Sequence, residues 1–251
     1  MDLGLSGKNV VVTGASKGIG RATALTFADE GANLAICARS EETLSKTAEE
    51  LQAKGAKVHA AVCDVRDADA LGAFLDAAHA ALGGVDVLVN NASGFGVTDD
   101  EEGWHTSFDV DMMATVRATW KVAPWLEAAG GGAVIHIAST SGLEAGSPPA
   151  YAAMKAAIIS HSKTMAETLA PKGIRVNCIS PGSIEFAGGM WETIKNVAPD
   201  HYGSILGTIP FGRLGTDFEV ANAVVFLASE RASWIAGVNL PVDGVQHKGN
   251  L

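Results

Sequence analysis

The sequence predicts a three-layer, doubly wound α/β fold: a mostly parallel sheet of seven strands in a single domain spanning residues 1–251. Six short apolar segments rich in β-branched residues alternate with stretches of helical periodicity, and a seventh lies near the end of the chain. A glycine-rich turn follows the first segment. Because right-handed crossovers join parallel strands, this alternation predicts a sheet buried between two layers of helices.

The predicted strands are short apolar runs, as expected when both faces of a sheet are covered. They occupy residues 8–13, 33–38, 57–62, 85–89, 133–138, 174–179 and 238–242. Helical patterns separate them, at about residues 18–30, 40–54, 68–82, 101–128, 150–170 and 217–229. Residues 183–213 show no regular pattern apart from a helical piece around residues 190–197.

Several helix ends carry the expected signals. Ser40 is a candidate N-cap for the second helix, and Thr216 precedes the last one. Gly31 fits the position just past the first helix, and Pro171 with Gly173 ends the long helix that begins near residue 150.

Composition narrows the class of protein. With 251 residues, 47% of them hydrophobic, the chain can bury a substantial core. A net charge of −10 argues against a nucleic-acid partner. No apolar run reaches roughly 18 residues, so no membrane span is expected. The chain runs into its first strand without a recognisable signal peptide, and a cytoplasmic protein is expected.

Cysteine and histidine positions give no sign of a metal site. The cysteines are odd in number and far apart, and neither they nor the histidines have the spacing of metal ligands. We predict buried, reduced thiols and structural imidazoles at Cys37, Cys63, Cys178, His105, His136 and His161.

The candidate catalytic group is Tyr151 with Lys155, together with Ser139 upstream. Tyrosine and lysine four residues apart lie on one face of a helix. A nearby ammonium favours the phenolate form of a phenol, so the pair can pass a proton to or from an alcohol oxygen. The serine hydroxyl can bond the same oxygen. Alone, this spacing means little, because tyrosine and lysine often share a solvated helix face.

The position of these residues strengthens the interpretation. In doubly wound sheets, ligands bind in the crevice outside the carboxyl ends of the strands. Distinctive residues follow six of the predicted strands in turn, at Gly14, Arg39, Asp64, Asn91, Ser139 and Pro181.

Gly14, Gly18 and Gly20 lie between the first strand and its helix. Glycines there permit a tight turn and let backbone N–H groups approach a pyrophosphate at the helix N-terminus. The spacing differs from the common G-x-G-x-x-G fingerprint. Packing glycines are the alternative, but the strand–turn–helix context favours nucleotide binding.

The end of the second strand indicates which coenzyme binds. An acid there bonds the ribose of NAD, whereas an arginine suits the 2′-phosphate of NADP. Arg39 stands at this position, and Lys17, Ser16 and Ser40 can complete a phosphate clamp. We therefore predict that NADP(H) is preferred. NAD(H) stays possible, because Glu41 follows closely and the two cations are alternatively just solvated.

Together these residues resemble the short-chain dehydrogenase/reductase family over essentially the whole chain, and are similar to its 3-oxoacyl-carrier-protein reductase-like members. The resemblance implies a Rossmann fold, an oxidoreductase that uses NAD(P), and a homotetramer. The matching motifs are TGASKGIG (13–20), Asp64-Val65, Asn90-Asn91-Ala92, Ser139, YAAMK (151–155), Ser180-Pro181-Gly182, residues 210–229 and Val242-Asp243-Gly244.

The resemblance also implies a role for each matching residue. Tyr151 would be the acid/base, Lys155 would bond the nicotinamide ribose, and Ser139 would polarise the substrate oxygen, with Ser141 a weaker substitute. The adenine would contact Asp64 and Val65. The other positions implied to bind coenzyme are Ile19 in the glycine motif, Asn91 and Ala92 along its centre, and Pro181, Gly182 and Ile184 at its nicotinamide end.

Three positions depart from the family pattern. Asp111 stands where the family usually has an asparagine that completes a proton relay. It could occupy that site, shift the pH dependence of the relay, or be an ordinary polar helix residue. Ser93 replaces a glycine after Asn91-Ala92. Phe186 replaces a threonine near the nicotinamide, so an apolar contact or another donor is implied.

Residues 183–213 resemble the family's variable substrate lid. Apolar residues such as Met190 and Trp191 suit a partly apolar substrate, and Phe95 and Leu143 could face the same pocket. Packing against the body or a second subunit is an equal alternative. No obvious cluster of basic residues is present to bind a phosphopantetheine or coenzyme A arm, which weakens but does not exclude an acyl-carrier substrate.

The sequence thus predicts an NADP(H)-dependent oxidoreductase that interconverts a carbonyl and a secondary alcohol. Three alternatives stay open. They are an NAD(H)-dependent alcohol or diol dehydrogenase, a lyase or dehalogenase on the same fold without hydride transfer, and a nucleotide-sensing binding protein without catalysis.

Overall fold

Seven parallel strands form the central sheet of the computed structural model, which describes residues 2–250. Their order is β3-β2-β1-β4-β5-β6-β9, and every neighbouring pair is parallel. A separate short pair is formed by β7 and β8. The strands are β1 Asn9–Thr13, β2 Asn33–Ala38, β3 Val58–Val62, β4 Val87–Asn90, β5 Gly132–Ile137, β6 Ile174–Pro181, β7 Ile184–Glu185, β8 Gly215–Thr216 and β9 Asn239–Val242.

The helices lie in two layers, and the predicted doubly wound architecture is confirmed. They are α1 Gly18–Asp29, α2 Glu41–Ala53, α3 Ala68–Leu82, α4 Glu101–Thr106, α5 Ala114–Ala128, α6 Pro149–Leu169, α7 Met190–Val197, α8 Pro199–Leu206 and α9 Asp217–Ala228. Because side chains alternate along a strand, Val10 and Val12 pack with α1, α2 and α9, whereas Val11 packs with α3 and α5.

The predicted helix ends agree with the structure. Ser40 caps α2, with its hydroxyl accepting from the Thr43 N–H group. Gly31 and Gly173 adopt φ angles of 79° and 73°, which suit glycine just past a helix. Thr216 and Glu219 form a reciprocal capping box at α9.

The segment after β6 is more regular than predicted. A second helix, α8, follows α7 directly, and the two share Ala198 as a boundary residue. The pattern missed it because the helix has only 8 residues and includes Gly203. Strand β6 also continues through Pro181, since Ser180 and Pro181 pair with β9. Within residues 2–250, no helix combines the length and apolar character that crossing a membrane requires.

Candidate active site

The turn between β1 and α1 has a backbone shape that requires glycine. Gly14 and Gly18 have φ angles of 68° and 53°, in the region where a Cβ atom is strained. A Cβ atom at Gly20 would lie 2.4 Å from both Asn91 Nδ2 and the Gly14 carbonyl oxygen. The three glycines therefore have the geometry that a phosphate-binding turn needs.

Asn91 holds this turn in place from the neighbouring strand. Its Nδ2 atom donates to the carbonyl oxygens of Thr13 and Gly14 at 2.9 and 3.1 Å. In return, Thr13 Oγ1 accepts from the N–H groups of Asn91 and Ala92 at 3.0 and 3.2 Å. The sequence does not single out Thr13, whose one signal is its place at the start of the glycine motif.

A cavity of about 200 Å³ opens along the carboxyl ends of β1 to β4. Cys63 and Arg66 also line it, although no sequence pattern marks them. The predicted coenzyme-binding residues in its walls are Gly14, Ser16, Lys17, Arg39, Asp64, Val65, Asn91 and Ala92.

Of the four residues predicted to bind a 2′-phosphate, three line the same cavity and one does not. Arg39 is exposed, lines the cavity, and has no side-chain hydrogen bond or ion pair within the described residues 2–250. Ser16 and Lys17 line the same cavity. The Ser40 hydroxyl instead caps α2 and lies outside the cavity wall.

Ser139, Tyr151 and Lys155 lie between the end of β5 and the first turns of α6. Ser139 is buried, and its Oγ atom accepts from the Ser141 N–H group at 3.1 Å. Ser141 in turn accepts from the Ser147 hydroxyl at 2.8 Å. Tyr151 and Lys155 are buried as well, with exposed fractions of 9% and 2%. The fold thus brings the three predicted catalytic side chains to one edge of the sheet.

The Lys155 ammonium is held by two oxygen atoms. Nζ donates to the Ile137 carbonyl oxygen at 2.9 Å and lies 3.0 Å from Asp111 Oδ1. It also lies 5.5 Å from the centre of the Tyr151 ring. Burial works against the charged form, but the Asp111 carboxylate and Tyr151 outweigh it and raise the pKa of Lys155. The lysine therefore carries its charge at neutral pH.

Asp111 is fully buried in a wide helical turn, Ser107–Met113, that joins α4 to α5. While Oδ1 faces Lys155, Oδ2 accepts a hydrogen bond from the Gly94 N–H group at 3.1 Å. Wide turns of this kind often occur at functional sites. The carboxylate therefore connects the lysine to the loop after β4.

The predicted nicotinamide end lies at the carboxyl end of β6. The Pro181 carbonyl oxygen accepts from Thr140 Oγ1 at 3.3 Å, and the Gly182 N–H group donates to Val242. Ile184 is buried in β7. Gly182 also packs closely against the segment that follows β9, since a Cβ atom there would lie 2.7 Å from Asp243 Cβ.

The Phe186 ring makes an apolar contact with the glycine turn. A Cβ atom at Gly18 would lie 2.5 Å from this ring, and Lys17 Nζ donates to the Gly188 carbonyl oxygen at 3.4 Å. The contact predicted for this position, with the nicotinamide end of a coenzyme, stays a prediction. The start of the predicted lid therefore rests directly on the predicted phosphate loop.

The remainder of the predicted lid is tied to β7. Glu185 accepts hydrogen bonds from Lys195 Nζ at 2.8 Å and from the Tyr202 hydroxyl. The Trp191 ring lies 6.1 and 6.4 Å from the rings of His201 and Tyr202. Trp191 thus packs within the lid, whereas Phe186 packs on the body, as the alternative interpretation predicts for lid residues.

The three cysteines and His136 are buried, and Cys63 lines the cavity along β1 to β4. Cys37, Cys63 and Cys178 are unpaired and buried, and burial raises the pKa of Cys178 to about 12. Burial also lowers the pKa of His136 to about 3, so its imidazole is neutral. Within residues 2–250, no group of three or more histidine, cysteine or acidic side chains is arranged to hold a metal ion.

Comparison with known proteins decides the family. A family model described as enoyl-(acyl carrier protein) reductase matches residues 14–245. The 3-oxoacyl-(acyl-carrier-protein) reductase of Chlamydia muridarum is 38% identical over 252 residues, which cover 96% of this chain and 97% of that protein. The chain belongs to the short-chain dehydrogenase/reductase family.

Solved structures of this family share the whole fold. L-sorbose reductase from Gluconobacter frateurii, in complex with NADPH and L-sorbose, is 37% identical with a TM-score of 0.91, covering 99% of this chain and 100% of that one. A 7α-hydroxysteroid dehydrogenase, in complex with NADH and a 7-oxo bile acid, has a TM-score of 0.91 at 33% identity, with coverage of 99% and 98%. As a member of the family, this chain is an oxidoreductase.

Proposed function

We propose that the protein is an NADP(H)-dependent oxidoreductase that interconverts a carbonyl and a secondary alcohol. The observation that carries the proposal is the placement of Ser139, Tyr151 and the charged Lys155 at the carboxyl edge of the sheet, the edge that also carries the glycine turn. An acid/base group and a coenzyme cleft occur at the same edge of the sheet, as this reaction requires.

The residues present fit a dinucleotide coenzyme. The turn at Gly14, Gly18 and Gly20 leaves no room for side chains, and the adjacent cavity is lined by Asp64 and Arg39. When bound, such a coenzyme supplies the hydride chemistry at its nicotinamide ring. The adenosine half would occupy the cavity along β1 to β4, and the nicotinamide half would lie toward Pro181 and Gly182.

Side chains of this protein would carry out the proton transfer that accompanies hydride transfer. In the reducing direction, the Tyr151 hydroxyl donates a proton to the oxygen that develops from the carbonyl, and Ser139 Oγ donates a hydrogen bond to the same oxygen. The Lys155 ammonium lies close enough to the Tyr151 ring to stabilise the phenolate that remains. Its pairing with Asp111 keeps the ammonium charged and fixed in position.

The preference for NADP(H) rests on Arg39, Lys17 and Ser16. These side chains line one cavity wall, where a guanidinium and an ammonium can bind a 2′-phosphate. The family members compared above include one structure with NADPH and one with NADH. The choice therefore depends on these residues and not on membership of the family.

The substrate is a small carbonyl or alcohol with some apolar character, covered by the lid of residues 183–213. Phe95 contacts Tyr151, with the centres of the two rings 4.6 Å apart. The lid adds further aromatic surface, and Phe186 closes against the glycine turn. This composition favours a carbonyl flanked by hydrocarbon over a highly charged substrate.

Tyr151→Phe tests the mechanism. The variant keeps the ring that packs on Phe95, so it is expected to fold and to bind coenzyme normally, yet to lose nearly all turnover.

We would screen ketones, diketones, acyl thioesters, sugars and cyclic diols with NADPH or NADP, following the absorbance of the reduced coenzyme. Wild-type rates in the variant would refute the acid/base role. Coenzyme binding by the wild-type protein without turnover on the whole panel would favour a sensing protein instead.

A further inference from the structure

The loop after β4 holds an aromatic residue in an unusual backbone conformation. Phe95 has a φ angle of 55°, in the left-handed region that bulky residues rarely adopt. Such a conformation costs free energy and persists only where the surroundings impose it. The contacts around Phe95 therefore show which neighbouring groups fix its backbone in this conformation.

Four contacts impose this conformation. The Gly94 N–H group donates to Asp111 Oδ2 at 3.1 Å, and the Gly96 N–H group donates to Ser107 Oγ at 3.2 Å. A Cβ atom at Gly94 would lie 2.5 Å from the Thr106 carbonyl oxygen, and one at Gly96 would lie 2.1 Å from the Gly103 carbonyl oxygen. The two glycines let the loop press against the helical turn that carries Asp111, and Phe95 projects between them.

The Phe95 ring lies directly beside the proposed acid/base. Its centre is 4.6 Å from that of the Tyr151 ring, with an angle of 37° between the planes. Tyr151 is 9% exposed, whereas Phe95 is 39% exposed. One part of the Phe95 ring thus packs on the tyrosine, and another part of the residue stays accessible beside it.

We propose that Phe95 is a specificity-determining residue, which favours carbonyl substrates that carry a flat ring next to the reacting carbon. The inference rests on the proposed function, because it presupposes that Tyr151 acts on a carbonyl oxygen. A planar group on the substrate gains an aromatic contact when it lies on the open part of the Phe95 ring. Asp111 and Ser107 act as positioning residues, since they hold the two peptide groups that fix the ring.

Two methyl ketones with the same number of carbon atoms test the inference. Acetophenone carries a flat ring and 2-octanone a flexible chain, and NADPH oxidation gives kcat/KM for each. Phe95→Leu keeps an apolar side chain of similar bulk but has no flat face. We expect the acetophenone to 2-octanone ratio to fall about five- to tenfold in this variant, as loss of one aromatic pair predicts. Phe95→Tyr, the control, keeps an aromatic ring. We expect its acetophenone to 2-octanone ratio to stay within about twofold of wild type.

Two further variants separate ring placement from folding. Phe95→Gly suits the left-handed backbone, so it is expected to fold without a loss of thermal stability and to lose the ring preference. Ser107→Ala frees the Gly96 end of the loop but leaves the pair of Asp111 with Lys155 intact. It is expected to raise KM for acetophenone severalfold, with little change in kcat for 2-octanone.

The possible failures are distinct. An unchanged ratio in both Phe95→Leu and Phe95→Gly would overturn the role of Phe95. So would a wild-type protein that reduces other carbonyls but not acetophenone. Coenzyme-dependent turnover of no carbonyl or alcohol at all would overturn the proposed function itself.

Discussion

At the scale of single residues, the buried pair of Asp111 and Lys155 is the feature that departs most from the family pattern. Both side chains are almost fully removed from solvent, with exposed fractions of 0% and 2%. Removing one partner of a buried ion pair leaves an uncompensated charge, which typically costs about 3–5 kcal/mol. Asparagine also leaves the Lys155 charge without its partner, but unlike truncation it keeps the hydrogen bond from the Gly94 N–H group.

Asp111→Asn keeps an oxygen that can accept from the Gly94 N–H group but removes the charge. We expect a folded protein with substantial activity. The Asp111 carboxylate raises the pKa of Lys155 while burial opposes the charge. Without the carboxylate, the lysine loses its proton at a lower pH, so the alkaline fall of kcat/KM should shift to lower pH. A pH–rate profile measures this shift. Complete loss of turnover in folded protein would instead give the carboxylate a specific role in the proton path.

Arg39→Asp should move the coenzyme preference from NADP(H) toward NAD(H). The substitution removes a cation from the cavity wall and introduces a carboxylate that repels a 2′-phosphate and can bond a ribose hydroxyl. The ratio of kcat/KM for the two coenzymes is expected to change at least tenfold, the scale of one charge-assisted hydrogen bond. Arg39→Ala serves as control, because it removes the cation without adding an acid. If the kcat/KM ratio for the two coenzymes is unchanged in both variants, Arg39 does not determine the preference for NADP(H).

The sequence pointed to the residues of this site better than to the contacts between them. Ser139, Tyr151 and Lys155 were predictable because each follows or faces the carboxyl end of a strand. The contact of Asp111 with both Lys155 and Gly94 was not, since it depends on a wide turn that shifts the helix register after Thr106. The left-handed backbone of Phe95 likewise has no local signal beyond its two glycine neighbours.

At the scale of elements, the strands, the long helices and α7 were predictable from periodicity, whereas α8 was not. Helix α8 has only 8 residues, includes Gly203 and has no buried residue, so no repeated apolar face identifies it. Contacts with β7 hold both lid helices, through Lys195 and Tyr202 with Glu185. Such contacts join positions 10 and 17 residues apart, beyond any helical repeat.

Helix α9 offers a pH-dependent test of its capping box. Hydrogen bonds from Arg213 and the Thr216 backbone lower the pKa of Glu219 to about 2 from its ordinary 4.5. The folded-state pKa lies below the unfolded one, so this stabilisation is present above pH 4.5 and disappears as the pH falls toward 2.

Glu219→Gln should therefore melt at a lower temperature than wild type near pH 7, and the two should converge in acid. The side chains are partly exposed, so the difference is expected to be at most about 4 °C. Thermal melts across this pH range measure it. Glu49→Gln, an exposed change of the same charge on α2, is the control. A difference that persists unchanged near pH 2 would show that the charge does not matter.

At the scale of the whole molecule, we predict a homotetramer, as family resemblance implies. The described chain exposes large apolar side chains, including Trp120 at 62% and Phe108 at 45% of their surface. Clusters of such residues commonly mark interfaces. Size-exclusion chromatography with light scattering should give four times the chain mass of 25.7 kDa. A single species with the mass of one chain at assay concentrations would contradict the prediction.

The bonds from Asn91 to the glycine turn also bear on synthesis and folding. Asn91 follows Gly14 by 77 residues, and β1 pairs with β4 as well as with β2. A nascent chain that has emerged only as far as β3 carries the whole glycine motif but lacks the side chain that shapes it. Contacts so distant along the chain form late and slowly. The earliest folding intermediates on the ribosome should therefore not bind coenzyme. Coenzyme can stabilise the protein only after the first four strands have assembled.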